Sequence, residues 1–247
     1  MPPGRVLVTG SSRGIGRAIA LRLAADGWRV AVHCSESADA AKSTAAELGA
    51  GAAGVYRANL REPGAAASLW SAALEDGPID ALVNNAGVYK PLSFLNATDD
   101  EFEANLADHF SINWEAPVRL SRIAAKAFAS GEGGSILNVA SRVGFRGEAG
   151  ASLYSASKAA LINLTRALAV ELAPNRVFVA GIAPGWVETA MVRDGMENRL
   201  PEILDTIPLR RMASPEDCAA ASAFLLRPEA AYLSGVVIDI NGASYFH

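Results

Sequence analysis

The chain has 247 residues, 51% hydrophobic and 19% charged, with a formal net charge of −4. That length and apolar content allow one large α/β domain with a sizeable core, and the acidic balance argues against a general nucleic-acid binder, which carries a basic excess. No apolar run approaches the roughly 20 residues that cross a bilayer, and Met1-Pro2-Pro3-Gly4-Arg5 lacks an apolar leader, so a cytoplasmic protein with no membrane partner is expected.

Apolar runs with β character alternate along the chain with Ala-rich helical stretches. Strands are predicted at Arg5–Thr9, Arg29–His33, Ala53–Arg57, Ile79–Val83, Ser135–Val139, Val177–Ala180 and Val236–Ile240. Most are continuously apolar, the pattern of strands buried on both faces of a parallel sheet. Helices are predicted at Gly14–Ala25, Asp39–Leu48, Gly64–Glu75, Asp99–Ala129, Ser152–Leu172 and Pro215–Leu226, the fourth broken or kinked by Pro117. The alternation implies an α/β fold: a single-domain, Rossmann-type doubly wound parallel sheet of about seven strands with helices on both faces, spanning 1–247. Residues 186–212 lose the periodicity and hold Pro201 and Pro208. They follow a strand, so they leave the sheet at the carboxyl edge, where ligands bind in such folds. They read as a substrate lid or as a plain surface excursion. Cys34 and Cys218 have no metal-ligand spacing and read as reduced, mostly buried thiols; His33, His109 and His247 form no ligand cluster, so no metal is expected.

The first strand runs into Thr9-Gly10-Ser11-Ser12-Arg13-Gly14-Ile15-Gly16, and a helix follows at once. Gly10 permits a tight exit from the strand. Gly14 and Gly16 leave the backbone bare, so a diphosphate can approach the free N–H groups of the helix N-terminus. An NAD site places an acid at the end of strand two; here the stretch is Val32-His33-Cys34-Ser35-Glu36, and Glu36 comes late enough to point away. Arg13 can pair with a 2′-phosphate through its planar fork, with Ser35 adding a hydroxyl. These choices favour NADP(H), against the reading of Arg13 as a solvated loop charge.

Tyr154 and Lys158 lie four apart near a helix start and face the same way. Alone the spacing is weak, and a half-buried helix tyrosine is the better reading of it. Its setting is stronger: Ser141 ends the preceding strand, Asn113 lies on the long helix before it, and Asn84-Asn85-Ala86-Gly87 ends strand four. All of these can gather at the edge that holds the glycine turn. Hydride transfer between nicotinamide and carbon needs a proton moved at oxygen. A free tyrosine, with a pKa of about 10, exchanges it poorly near neutrality, and a nearby ammonium at Lys158 is expected to lower that pKa. Ser141 can bond and orient the substrate oxygen.

These motifs, with Pro184-Gly185-x-x-x-Thr189, resemble the short-chain dehydrogenase/reductase family over nearly the whole chain. The resemblance implies that Tyr154 is the acid/base, that Lys158 also holds the nicotinamide ribose, and that Ser141 binds the substrate oxygen. It implies that Asn113 anchors a water in a proton relay, that Thr189 touches the carboxamide, and that Asn59 lies near adenine. The implied cofactor site comprises Gly10, Ser12, Arg13, Gly14, Ile15, Gly16, Ser35, Asn59, Leu60, Asn85, Ala86, Gly87, Tyr154, Lys158, Pro184, Gly185, Val187 and Thr189. Within the family the chain is most similar to the 3-oxoacyl-(acyl-carrier-protein) reductases of fatty acid biosynthesis. Ser130-Gly131-Glu132-Gly133-Gly134 departs from that subgroup, which often carries basic residues there for the carrier protein. A homotetramer is implied as well, with the helices 99–129 and 152–172 and the last strand as its contact faces.

The substrate side is expected to comprise Ser141, Val143, Phe145, Tyr154, Trp186 and Met191, with Tyr89 and Phe94 as further walls. Such an apolar site fits a small-molecule or carrier-bound acyl chain, and equally a sugar, steroid-like or aromatic ketone. A silent NADP-binding sensor would not need all of Asn113, Ser141, Tyr154 and Lys158.

Overall fold

A computed structural model describes residues 4–190 and 199–247. Seven strands form one parallel sheet: β1 (Arg5–Val8), β2 (Arg29–Cys34), β3 (Ala52–Arg57), β4 (Ala81–Asn84), β5 (Gly134–Val139), β6 (Val177–Pro184) and β7 (Val237–Ile240). Their order is β3-β2-β1-β4-β5-β6-β7. The chain builds outward from β1 to β3, then returns to place β4 on the other side of β1. Ligands bind in the crevice that such a reversal opens at the carboxyl ends of the strands.

Alternation along the strands sorts the core into two faces. Val6 and Val8 of β1 turn to one face with Val30, Val32 and Val83, where Ile19 and Leu23 of α1 (Gly14–Ala25) cover them. Leu7 turns to the other face with Leu82 and Ile136. There Leu69 and Trp70 of α3 (Ala65–Glu75) join Leu120 and Phe128 of α5 (Ala116–Ala129). The remaining helices are α2 (Ala38–Leu48), α4 (Asp99–Phe110), α6 (Ser152–Leu172), α7 (Leu200–Asp205) and α8 (Pro215–Leu225). Leu7, Leu82 and Ile19 are wholly excluded from water, and each such side chain contributes roughly 1.5–3 kcal/mol by burial. A Leu7→Ala change would cost about 2–5 kcal/mol, because neighbours on both elements cannot collapse into the gap.

Two differences from the sequence reading exceed two residues. The stretch 99–129 is two helices joined by a widened, π-type turn at Ser111–Glu115. The break lies ahead of Pro117, which sits comfortably in the first turn of α5. Proline has no N–H to offer the carbonyl four residues back, that of Asn113, and its ring crowds it. The turn therefore opens at Asn113, a distortion frequent at functional sites. Strand β6 runs four residues past Ala180. Gly181 and Pro184 look like breakers, yet they pair with Val237 and Ile240 of β7. Of the segment 186–212, the described part carries α7, and Ile203, Ile207 and Met212 form a small cluster with Trp186 and Leu204. Among the described residues, no helix is long and apolar enough to cross a membrane.

Candidate active site

The turn after β1 and the turn after β4 are stitched together across the crevice. Thr9 Oγ1 accepts the N–H groups of Asn85 and Ala86 at 2.9 and 3.0 Å. Asn85 Nδ2 donates back to the Thr9 carbonyl at 2.8 Å. Gly10 has φ +64°, and a Cβ there would lie 2.9 Å from Ala86 Cα. At Gly16 a Cβ would lie 2.4 Å from the Gly10 carbonyl oxygen. Both positions therefore require glycine: Gly10 makes the tight exit expected of it, and Gly16 is set by the approach of the Gly10 carbonyl.

Helix α1 begins at Gly14 with Arg13 in extended conformation, no side chain capping it and no acid in its first turn. Its first N–H groups and the positive end of its dipole are left for an anion. His33, excluded from water, backs this turn: its Nδ1 accepts the Gly10 N–H at 2.9 Å, and its Nε2 faces the Ala58 carbonyl at 3.1 Å. A carbonyl can only accept, so Nε2 holds the proton and the ring is neutral. Burial pushes its pKa down to about 4. Sequence reading passed over His33 as a scattered histidine; its signal was position, at the end of the strand beside the glycine turn.

All eighteen residues expected around the cofactor line one continuous cleft, from Ser35, Asn59 and Leu60 through Gly10–Gly16 to Gly185, Val187 and Thr189. His33, Cys34, Arg61, Val88, Ile112 and Val139 line it too and were not anticipated. At its outer end Ser35 Oγ is buried without a partner, while Arg57 Nε donates to the Ser35 carbonyl at 2.9 Å. Arg13 is exposed and lines the same end. Glu36, expected to turn away, lines it as well. The bare turns, the uncapped helix and the unpartnered hydroxyl fit a dinucleotide whose diphosphate lies on α1.

At the inner end, α6 delivers Tyr154 and Lys158. Lys158 is buried, and its Nζ donates to the Val139 carbonyl at 2.8 Å. An ammonium has three N–H donors, so two remain for other partners. Burial pushes its pKa down to about 8. The Tyr154 ring is half-buried, 5.8 Å from Lys158 Nζ at its centroid. The expected depression of the Tyr154 pKa does not occur in this geometry: burial pushes it up to about 12, and the Ser141 hydroxyl is the group that opposes the rise. Lys158 is held back by Val139 and is itself desolvated, so its charge does not dominate. Besides its interaction with Tyr154, the Ser141 hydroxyl makes two long contacts, 3.5 Å to the Pro184 carbonyl and 3.4 Å from the Val143 N–H. Asn113 stands behind, its side chain bonded to both main-chain groups of Val88 at 2.9 and 3.0 Å and to Ser157 Oγ at 3.2 Å.

The expected substrate walls are less well gathered. Val143 is buried in the short turn Arg142–Gly144. Phe145 stacks on His247 at 3.7 Å and packs on Ile162 and Val237, so it faces the chain's last residues. Trp186 lies against the α7 cluster, with the Arg142 guanidinium 5.9 Å from its ring. None of the three is among the residues that line the dinucleotide cleft. Met191 lies outside the described residues. Cys34 and Cys218 are free and buried, as expected.

The model of the short chain dehydrogenase family matches residues 5–200. The chain belongs to that family. It is 37% identical over 240 residues to the 3-oxoacyl-(acyl-carrier-protein) reductase FabG of Salmonella typhimurium, covering 97% of this chain and 96% of that protein. It is also 37% identical over 244 residues to the acetoacetyl-CoA reductase of Shinella zoogloeoides, covering 97% and 98%. Among solved structures, a short chain dehydrogenase from Burkholderia cenocepacia in complex with NADP superposes with a TM-score of 0.89 at 35% identity, covering 98% of this chain and 97% of that one. The strand order and the Tyr154–Lys158 pair of this short-chain dehydrogenase thus sit in a fold shared over nearly full length.

Proposed function

We propose that this short-chain dehydrogenase is an NADP(H)-dependent carbonyl reductase that converts a 3-oxoacyl thioester to its 3-hydroxyacyl form. The observation that carries the reading is the single cleft running from the uncapped N-terminus of α1 to Ser141, Tyr154 and Lys158. The bound dinucleotide supplies hydride in reduction and takes it in oxidation. The residues do the rest. Ser141 donates its hydroxyl proton in a hydrogen bond to the carbonyl oxygen and orients it. Tyr154 delivers a proton to that oxygen as it gains charge; its phenol is protonated at neutral pH, as a proton donor must be. Lys158, still mostly an ammonium at pH 7, holds ribose hydroxyls with its two free donors and stabilises the phenolate that remains.

The thioester assignment is supported by the names of the two relatives, one acting on a carrier-bound acyl group and one on a CoA thioester. The turn between α5 and β5 carries Glu132 and no cation. That favours a second reading, in which the substrate is a CoA thioester or another ketone and no carrier protein docks. A cytoplasmic location and a homotetramer complete the proposal. For the tetramer, Val170 on α6 is 81% exposed, an apolar group left uncovered on the expected contact helix. The test is NADPH oxidation with acetoacetyl-carrier protein, acetoacetyl-CoA and simple ketones side by side. Turnover of the thioesters is the expected result, and turnover of ketones alone contradicts it.

A further inference from the structure

The Tyr154 ring is braced by two aromatic edges: Tyr89 at 5.0 Å and 72°, and His109 at 5.8 Å and 61°. His109 lies in the last turn of α4, wholly buried. Its Nδ1 faces the Asn105 carbonyl at 2.9 Å, and its Nε2 faces the Lys90 N–H at 3.2 Å. The carbonyl can only accept and the N–H can only donate. Nδ1 therefore carries the proton, Nε2 is bare, and the ring is neutral.

The same helix face does more. Asn105 Nδ2 donates to the Lys90 carbonyl at 3.1 Å, and Asn113 bonds both main-chain groups of Val88. Asn105, His109 and Asn113 are each four residues apart, so one face of α4 and its widened turn presents all three. Together they bond the N–H and the carbonyl of Val88 and of Lys90, replacing the strand that would otherwise do so. Tyr89, between those two residues, is left to pack on Tyr154.

We propose that His109 is a positioning residue for Tyr154. Its neutral imidazole braces the phenol ring directly and, through Lys90, holds Tyr89 on the ring's other flank. The direction in which Tyr154 delivers its proton is thereby fixed. This rests on the acid–base role proposed above for Tyr154. The charged and titratable groups around the ring are Asp108 beside it on α4, Lys90 on the strip it holds, and Lys158 with Tyr154 on α6. Burial and the two lysines favour the neutral ring over the opposing Asn105 carbonyl and Asp108. Protonation would set an Nε2–H against the Lys90 N–H and release the strip.

Two substitutions separate the parts. His109→Phe keeps a ring edge and loses the acceptor; His109→Gln keeps an acceptor and loses the ring. Each is expected to lower kcat about tenfold or more, because small misplacement of a reacting group is costly. The dinucleotide Kd should stay within about twofold. Protonation of His109 would add to any acid fall of kcat, so that fall should lie at lower pH in both variants than in the wild type. Wild-type kcat, or an acid fall at the wild-type pH in either folded variant, overturns the proposal. Tyr154→Phe run alongside keeps the readings apart, since retained turnover there defeats the acid–base role and not the brace. If neither His109 variant folds, ¹⁵N shifts of the wild-type histidines decide: an Nδ1–H tautomer at pH 7 supports the proposal, and an Nε2–H tautomer or an imidazolium overturns it.

Discussion

Thr9 and Asn85 hold each other across the point where the sheet reverses: the Thr9 hydroxyl accepts the Asn85 N–H at 2.9 Å, and the Asn85 amide donates back to the Thr9 carbonyl at 2.8 Å. The hydroxyl is buried and serves a second N–H, that of Ala86. Thr9→Val keeps the shape but leaves the Ala86 N–H without its acceptor and the Asn85 N–H with the Val83 carbonyl alone, a loss of about 1–3 kcal/mol. Denaturant unfolding should show that loss, and titration should show weaker dinucleotide binding. Thr9→Ser, which keeps the hydroxyl, should behave nearly as wild type.

At the outer end of the cleft, Arg13 and the unpartnered Ser35 hydroxyl are the groups proposed to receive a 2′-phosphate. Arg13→Ala should weaken NADPH binding about tenfold or more, the size of a lost hydrogen bond to a charged group. NADH binding should change little. Titration of both cofactors checks this, and an unchanged NADPH-to-NADH ratio would assign the discrimination elsewhere, with Glu36 present at the same end.

His33 ties acid stability to the same turn. Its folded pKa of about 4 lies below the usual 6.5, so the folded state resists the proton that the unfolded chain accepts. The stability it contributes is complete above pH 6.5 and is lost as pH falls from there towards 4, to about 3 kcal/mol in all. His33→Gln keeps an acceptor for Gly10 and does not titrate. The difference between wild type and variant in unfolding free energy should therefore shift in favour of the variant over that pH range. Parallel curves would remove the assignment.

If α6 is a contact face, light scattering at micromolar concentration should give the mass of four chains. Val170→Glu should reduce it. A monomeric wild type would contradict the tetramer.

The sheet and the cofactor cleft were legible because local pattern and chemistry agree there. Continuous apolar runs mark strands buried on both faces, and the glycines at Gly10 and Gly16 mark where the two turns pack too closely for a side chain. The substrate side was not legible, because it depends on contacts between distant segments. Phe145 looks like a pocket wall in the sequence, yet it stacks on His247, a hundred residues away along the chain. Likewise, no spacing rule announces that Asn105, His109 and Asn113 will serve the main chain of Val88 and Lys90. Pro117 signalled a break, but only the geometry shows it falling on Asn113. The effect of Lys158 on Tyr154 was misjudged for a similar reason: proximity in sequence gives the sign of a charge effect, and burial of both groups decides its size.

Tyr154 is where the account stands or falls. In a single-turnover experiment, enzyme loaded with NADPH is mixed with acetoacetyl thioester and the loss of NADPH absorbance is followed, for wild type and for Tyr154→Phe. The expected result is rapid oxidation by wild type and a rate lower by about 10²–10⁴-fold in the variant, with NADPH affinity unchanged. A variant that binds NADPH normally and oxidises it at the wild-type rate would contradict the assignment of the proton to Tyr154.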